Sequence, residues 1–142
     1  MRRLVLCVAL VGVAGCPADP PPACVTVDLN CTPVLYPPTF DNVYAMTLKD
    51  SCGSQRNSCH SEAGHSGGLA MGDEASAFAH LLENERVVPG DPACSKMIVR
   101  VTSVGDTYQM PQGPASSALS AGGQCSLIHW IAAGAPGPGS AP

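Results

Sequence analysis

Eight cysteines are spread over a chain of 142 residues that contains one Trp and two Phe. That imbalance constrains the fold more than any other feature. A domain with so few large side chains rarely buries enough apolar surface by itself; it needs covalent staples, a metal or a buried apolar cofactor. Cys7 lies in an N-terminal apolar run and Cys16 at its end, which leaves Cys24, Cys31, Cys52, Cys59, Cys94 and Cys125 for the folded part. An even remainder in an exported chain predicts three bridges, or fewer bridges plus a cofactor.

The N-terminus carries the export signal. Arg2 and Arg3 form a positive flank, and Leu4 to Val13 is apolar but too short to span a bilayer, so residues 1–15 read as a signal peptide that is removed. The run ends in Val13-Ala14-Gly15-Cys16. This ending resembles the bacterial lipobox, which implies that Cys16 is lipidated and becomes the new N-terminus. Acyl chains would anchor the protein at about 0.8 kcal/mol per buried CH₂. The expected location is the bacterial cell envelope, with the domain in the periplasm or at the outer surface, where disulfides persist. A net charge of −4 without a basic cluster argues against nucleic-acid binding.

Residues 16–39 are proline-rich and read as a semi-extended spacer, with Cys24 and Cys31 expected to close a small local loop. Residues 40–135 read as the domain, and residues 136–142, rich in Gly, Pro and Ser, as a disordered tail. Within the domain, Phe40, Val43, Tyr44, Thr47 and Leu48 follow helical spacing behind Asp41. Asp73 is placed to cap a helix over 74–85 with Phe78, Leu81 and Leu82 inward, and Asp91-Pro92 to start one over 91–102. Ser120 is placed to cap a last helix carrying Leu127, Ile128, Trp130 and Ile131, with Gly134 as its stop. Long β-alternation is absent, so the chain reads as mainly α. Cys94 and Cys125 fall on two of these helices and are expected to clamp them by a disulfide.

The chemistry-bearing residues gather in SCGSQRNSCHSEAGHSGG, residues 51–68. The residue types alone leave three readings open there. Cys59-His60 is the dipeptide found where haem is attached to a chain. Cys52 and Cys59 are equally suited to a disulfide. Cys52, Cys59, His60 and His65 form a thiolate–imidazole set for zinc or copper, although C-x6-C-H-x4-H is unlike short-knuckle zinc spacing. His65 reads as solvated, and His80 and His129 as ordinary helix imidazoles. Met46, Met71 and Met97 read as core filler, whereas Met110 sits in a loop before Pro111. Nucleophilic catalysis has little support in the residues and there is no H-E-x-x-H helix, so no enzyme activity is expected.

The order of these parts resembles a small class I c-type cytochrome domain: a helix, Cys59-His60, a Gly-rich turn, two helices, the Met110-Pro111 loop, and a terminal helix ending in WIAAGA (130–135). The resemblance implies four or so short helices with long loops, stapled by disulfides. It further implies haem c bound through thioethers to Cys52 and Cys59, with His60 and Met110 as the axial iron ligands. Met ligation favours Fe(II) and raises the potential. This chain departs from the family's C-x-x-C-H spacing by placing six residues between the two cysteines. The expected function is electron transfer with periplasmic redox proteins that dock transiently, the lipid at Cys16 holding the domain at the membrane. The alternative is a haem-free scaffold of the same shape, stapled at Cys52–Cys59, that serves as an envelope interaction module.

Overall fold

The computed structural model describes residues 20–53 and 58–141. The expected signal peptide and Cys16 lie outside the described residues, as do residues 54–57. The described chain is mainly helical, as expected, and contains no strand among the described residues.

The first helical stretch begins as α1 (Phe40–Val43), widens into a π-helical turn at Tyr44–Leu48 and ends as α2 (Lys49–Ser51). Thr39 caps its start by accepting a hydrogen bond from the Asn42 N–H, and Asp41 stands in the first turn, where acid is favoured. α3 (Glu74–Leu82) is capped by Asp73, whose Oδ1 accepts from the Ser76 N–H at 2.9 Å. Leu81 is buried as expected, but Leu82 is exposed.

α4 (Lys96–Thr102) starts later than Asp91-Pro92 predicts. Asp91 instead holds a turn: its Oδ1 accepts from Cys94 N–H, and the buried Ser95 hydroxyl donates to Asp91 O while accepting from Val88 N–H. Such side-chain bonds compete with a helix for the same backbone groups. Cys94 therefore sits in the turn before α4. α5 (Ala121–Ala132) is capped by Ser120 and stops where predicted: Gly134, at φ +94°, lets its N–H reach Ile131 O while Ala135 N–H reaches Trp130 O.

Both α1 and α4 pack on α5. Phe40 meets Trp130 at 5.4 Å between ring centroids and Phe78 edge-on at 4.9 Å. Trp130 is fully buried and donates its indole N–H to Pro136 O at 3.0 Å. The scarce aromatic residues thus fill one packing centre.

The disulfides differ from the local expectation. Cys24 pairs with Cys94, and Cys31 with Cys125, rather than Cys24 with Cys31 and Cys94 with Cys125. The backbone explains why. Val25 N–H bonds to Ala93 O at 2.9 Å, which brings Cys24 beside Cys94. Leu35 N–H bonds to Gly122 O at 3.0 Å, and the buried Ser126 hydroxyl accepts from Leu35 and Tyr36 N–H groups. A Cβ at Gly122 would lie 3.2 Å from Pro33 O, so glycine allows this close approach. The described part of the expected spacer is therefore a strap laid along the domain and bolted at two points.

The described part of the expected disordered tail, 136–141, also packs on the domain. Gly137 packs on the Phe78 ring, and Gly139 N–H donates to Asp41 Oδ1 at 2.9 Å. Among the described residues, no helix is long and apolar enough to cross a membrane.

Candidate functional site

A cavity of about 820 Å³ opens between α2, α4 and the loop before α5. Its volume lies in the range of sites that bury a small-molecule ligand or cofactor. Four residues singled out in the sequence line it: Cys52, Cys59, His60 and Met110. They come from segments up to 58 residues apart in sequence (52 to 110).

Each is positioned by local structure. Cys52 caps the C-terminal end of α2, its N–H bonded to Leu48 O at 3.0 Å, and Gly53 N–H returns to the same carbonyl at 2.9 Å. Cys59 and His60 lie on a 3₁₀ turn, Ser58–His60. Met71 ties the two together. Its N–H bonds to His60 O at 2.8 Å, and a Cβ added at Gly53 would fall 2.4 Å from Met71 O. The two ends of the cysteine loop are therefore seated on either side of one residue's backbone, although six residues separate the thiols.

Met110 is held by its neighbours. Its N–H bonds to Arg100 O at 3.0 Å. Gln109, 2% exposed, accepts from Gly105 N–H at 2.6 Å and donates to Pro111 O at 2.9 Å, which closes the loop around a buried amide. Nothing in the sequence pattern marked Gln109, because a glutamine in a loop is ordinarily solvated. Met71 and Met97, expected as core filler, both face the cavity, whereas Met46 is exposed at the surface. Apolar walls come from Leu48, Leu69, Leu81, Val101, Leu119 and Leu127.

The polar character of the site is one-sided. Arg86, Lys96 and Arg100 line it, and among the described residues no Asp or Glu does. Arg86 is spent on structure, donating to His80 O and Gly67 O. Arg100 makes a long 3.4 Å bond to Tyr108 O.

Cys52 and Cys59 are both free thiols, so the bridge that a haem-free stapled scaffold would require is not formed. Burial pushes the Cys52 thiol up to about 11 from an ordinary 9.0. It is therefore a neutral thiol at physiological pH, while Cys59 is exposed. His60 Nδ1 is buried with no hydrogen-bond partner among the described residues, a condition that native structures avoid unless another group satisfies the nitrogen. His65 is exposed, lies at φ +43°, and does not line the cavity; its ring stands 5.7 Å from that of His80. The zinc or copper set of Cys52, Cys59, His60 and His65 is thus not assembled. Among the described residues, ligand atoms close enough to share one ion are found elsewhere, at Cys31, Cys125 and His129.

A haem fits these residues. The apolar walls suit a porphyrin face, Arg100 suits a carboxylate, and an imidazole, three thioethers and two thiols surround one space. Comparison with known proteins agrees with this chemistry. Residues 57–113 match the family model described as Planctomycete cytochrome C. The matched stretch contains Cys59, His60, Met110 and Pro111 and excludes Cys52. The similarity supports a cytochrome-c-like domain. No curated protein and no solved structure matches the chain.

Proposed function

We propose that this domain binds haem c and carries electrons, with His60 and Met110 as the axial ligands and Cys52 and Cys59 as the points of covalent attachment. The observation that carries the reading is the convergence of those four side chains on one cavity of about 820 Å³. Haem supplies a one-electron Fe(III)/Fe(II) couple, whose potential a thioether ligand raises.

The chain's own residues prepare the site. Leu48, Leu69 and Leu127 make the cavity walls apolar, which would favour the less charged reduced state of a bound haem. Arg100 is available to orient a carboxylate at the rim. Gln109 fixes the loop that presents Met110. Met71 donates its N–H to His60 O and lies against Gly53, the neighbour of Cys52. If His60 and Met110 both held the iron, no ligand position would be left for a substrate, which favours a carrier over an enzyme. Export and lipidation at Cys16 complete the proposal, holding the carrier at an envelope membrane where periplasmic redox proteins dock transiently.

The test is to produce the protein in a host that matures c-type cytochromes, then record its visible spectrum and intact mass. A Soret band that survives denaturation, with added haem mass, is the expected result. His60→Ala should abolish the low-spin spectrum, and Met110→Ala should shift the potential downward. A colourless protein from a competent host overturns the reading; an unchanged spectrum and potential in Met110→Ala overturns that ligand.

A further inference from the structure

A second cluster of ligand atoms lies on the strap side of the molecule and shares no residue with the cavity. The Cys31–Cys125 disulfide stands beside the imidazole of His129, and the two Sγ atoms and a ring nitrogen all lie within 4.8 Å of one another. Cys125 and His129 are four residues apart on α5 and so project from the same helix face. Cys31 comes to them from the strap.

A second observation is independent of the clustering. His129 Nε2 is buried and has no hydrogen-bond partner among the described residues. A buried imidazole nitrogen without a partner is costly, and a metal ion satisfies it. The backbone needs little adjustment, because the Cα atoms of Cys31 and Cys125 are already 5.8 Å apart, a separation from which two thiolates reach one tetrahedral ion with bonds of about 2.3 Å. Cys125 Sγ also lies 2.8 Å from Cys31 O, which would accept the thiol proton once the bridge opens. Among the described residues, no third ligand stands within that range of the Cys24–Cys94 bridge.

We propose that the Cys31–Cys125 bridge is a redox-gated zinc site, in which reduction of the disulfide by a dithiol creates a Cys31–Cys125–His129 set that binds one Zn²⁺. The dithiol gives two electrons and two protons and leaves as its own disulfide, and the S–S bond becomes two thiols. Zinc then displaces both thiol protons and takes the neutral imidazole as third ligand, with water in the fourth position. Thiolate and imidazole donors match this ion, which has no redox chemistry to reoxidise them. Cys31 is the less buried of the two residues, so a reductant reaches the bridge from its side, whereas Cys125 is 2% exposed. The metal would hold the strap to α5 where the covalent bond had held it.

The test uses the full chain carrying Cys7→Ser, Cys16→Ser, Cys52→Ser and Cys59→Ser, which removes every thiol outside the two bridges and is independent of haem. The protein is reduced with a phosphine, freed of reductant without oxygen, and titrated with Zn²⁺ and with Co²⁺ as a coloured probe. Native mass spectrometry should count one zinc per reduced chain and none per oxidised chain, and cobalt should give thiolate charge-transfer absorption. His129→Ala and His129→Asn should each weaken binding at least tenfold, while Cys24→Ala with Cys94→Ala should leave it in place. If reduction alone loosens the fold, zinc restoring the helical circular dichroism in a His129-dependent manner supports the site. No bound zinc in the reduced chain, or equal binding without His129, overturns it.

Discussion

Cys24 and Cys31 are separated by six residues, and so are Cys52 and Cys59. The first two are divided between bridges spanning 70 and 94 residues of sequence. The second two are free thiols on a cavity wall. One side of the molecule is locked covalently and the other is left chemically open. The difference shows that cysteine spacing does not select a partner. What selects it is where the backbone is held: by Ala93 and Gly122 for the strap, and by Met71 for the loop. A lean core is stapled where its N-terminal strap would otherwise peel away, and the thiols near the cavity are spared for other use.

The largest expected effect breaks the locked side. Removing the Cys31–Cys125 bridge with Cys31→Ala and Cys125→Ala should lower stability by about 4–5 kcal/mol, because the bridge constrains a long loop in the unfolded chain. Thermal unfolding under oxidising conditions measures it; a loss below about 1 kcal/mol would mean that the strap is held by its hydrogen bonds alone. On the open side, Gly53→Ala should cost about 3 kcal/mol, since the added carbon meets the Met71 backbone at 2.4 Å. Because Gly53 lies against Met71 at the start of the cysteine loop, the same variant should retain less covalent haem, read as the ratio of Soret to protein absorbance.

The third prediction concerns pH. The Cys52 thiol is raised from 9.0 to about 11, so the folded state holds its proton more tightly than the unfolded state does. Its contribution is fully present below pH 9 and is lost as pH rises through about 11, by up to about 2–3 kcal/mol. Denaturant titrations of haem-free protein between pH 8 and 11 should show that fall, and Cys52→Ser should remove it. In protein carrying haem at Cys52 the slope should vanish as well, which makes it a readout of attachment. Smallest is Gln109→Leu, which leaves Gly105 N–H and Pro111 O without their partner at a cost of about 1–2 kcal/mol. It should shift the haem potential as well as lower the melting temperature, since Gln109 acts on the loop of Met110; an unchanged potential would confine Gln109 to a packing role.

Much of the fold was legible in the sequence because it depends on neighbours along the chain. Asp73 and Ser120 announce their helices as caps, and Gly134 ends the last one, since each acts on backbone groups within a few residues. Cys59-His60 and Met110-Pro111 were legible as ligand types, because the chemistry belongs to the side chain wherever it lies. The late start of α4 was hidden, as it turns on Ser95 being buried and bonded to Asp91. Gln109 and the Gly53–Met71 contact were hidden for the same reason: each matters only through an atom distant in sequence or turned inward.

By itself, then, the sequence determined helical punctuation, the shortage of core and the kinds of donor atom present. The tertiary structure alone decided which sulfurs pair, that the strap and the tail pack on the domain, and that an imidazole and three thioethers share one cavity. The physical reason is range. Caps and turns are satisfied within about four residues, whereas a disulfide or a cavity wall needs two distant segments to be held side by side, and only packing of the whole chain brings them there.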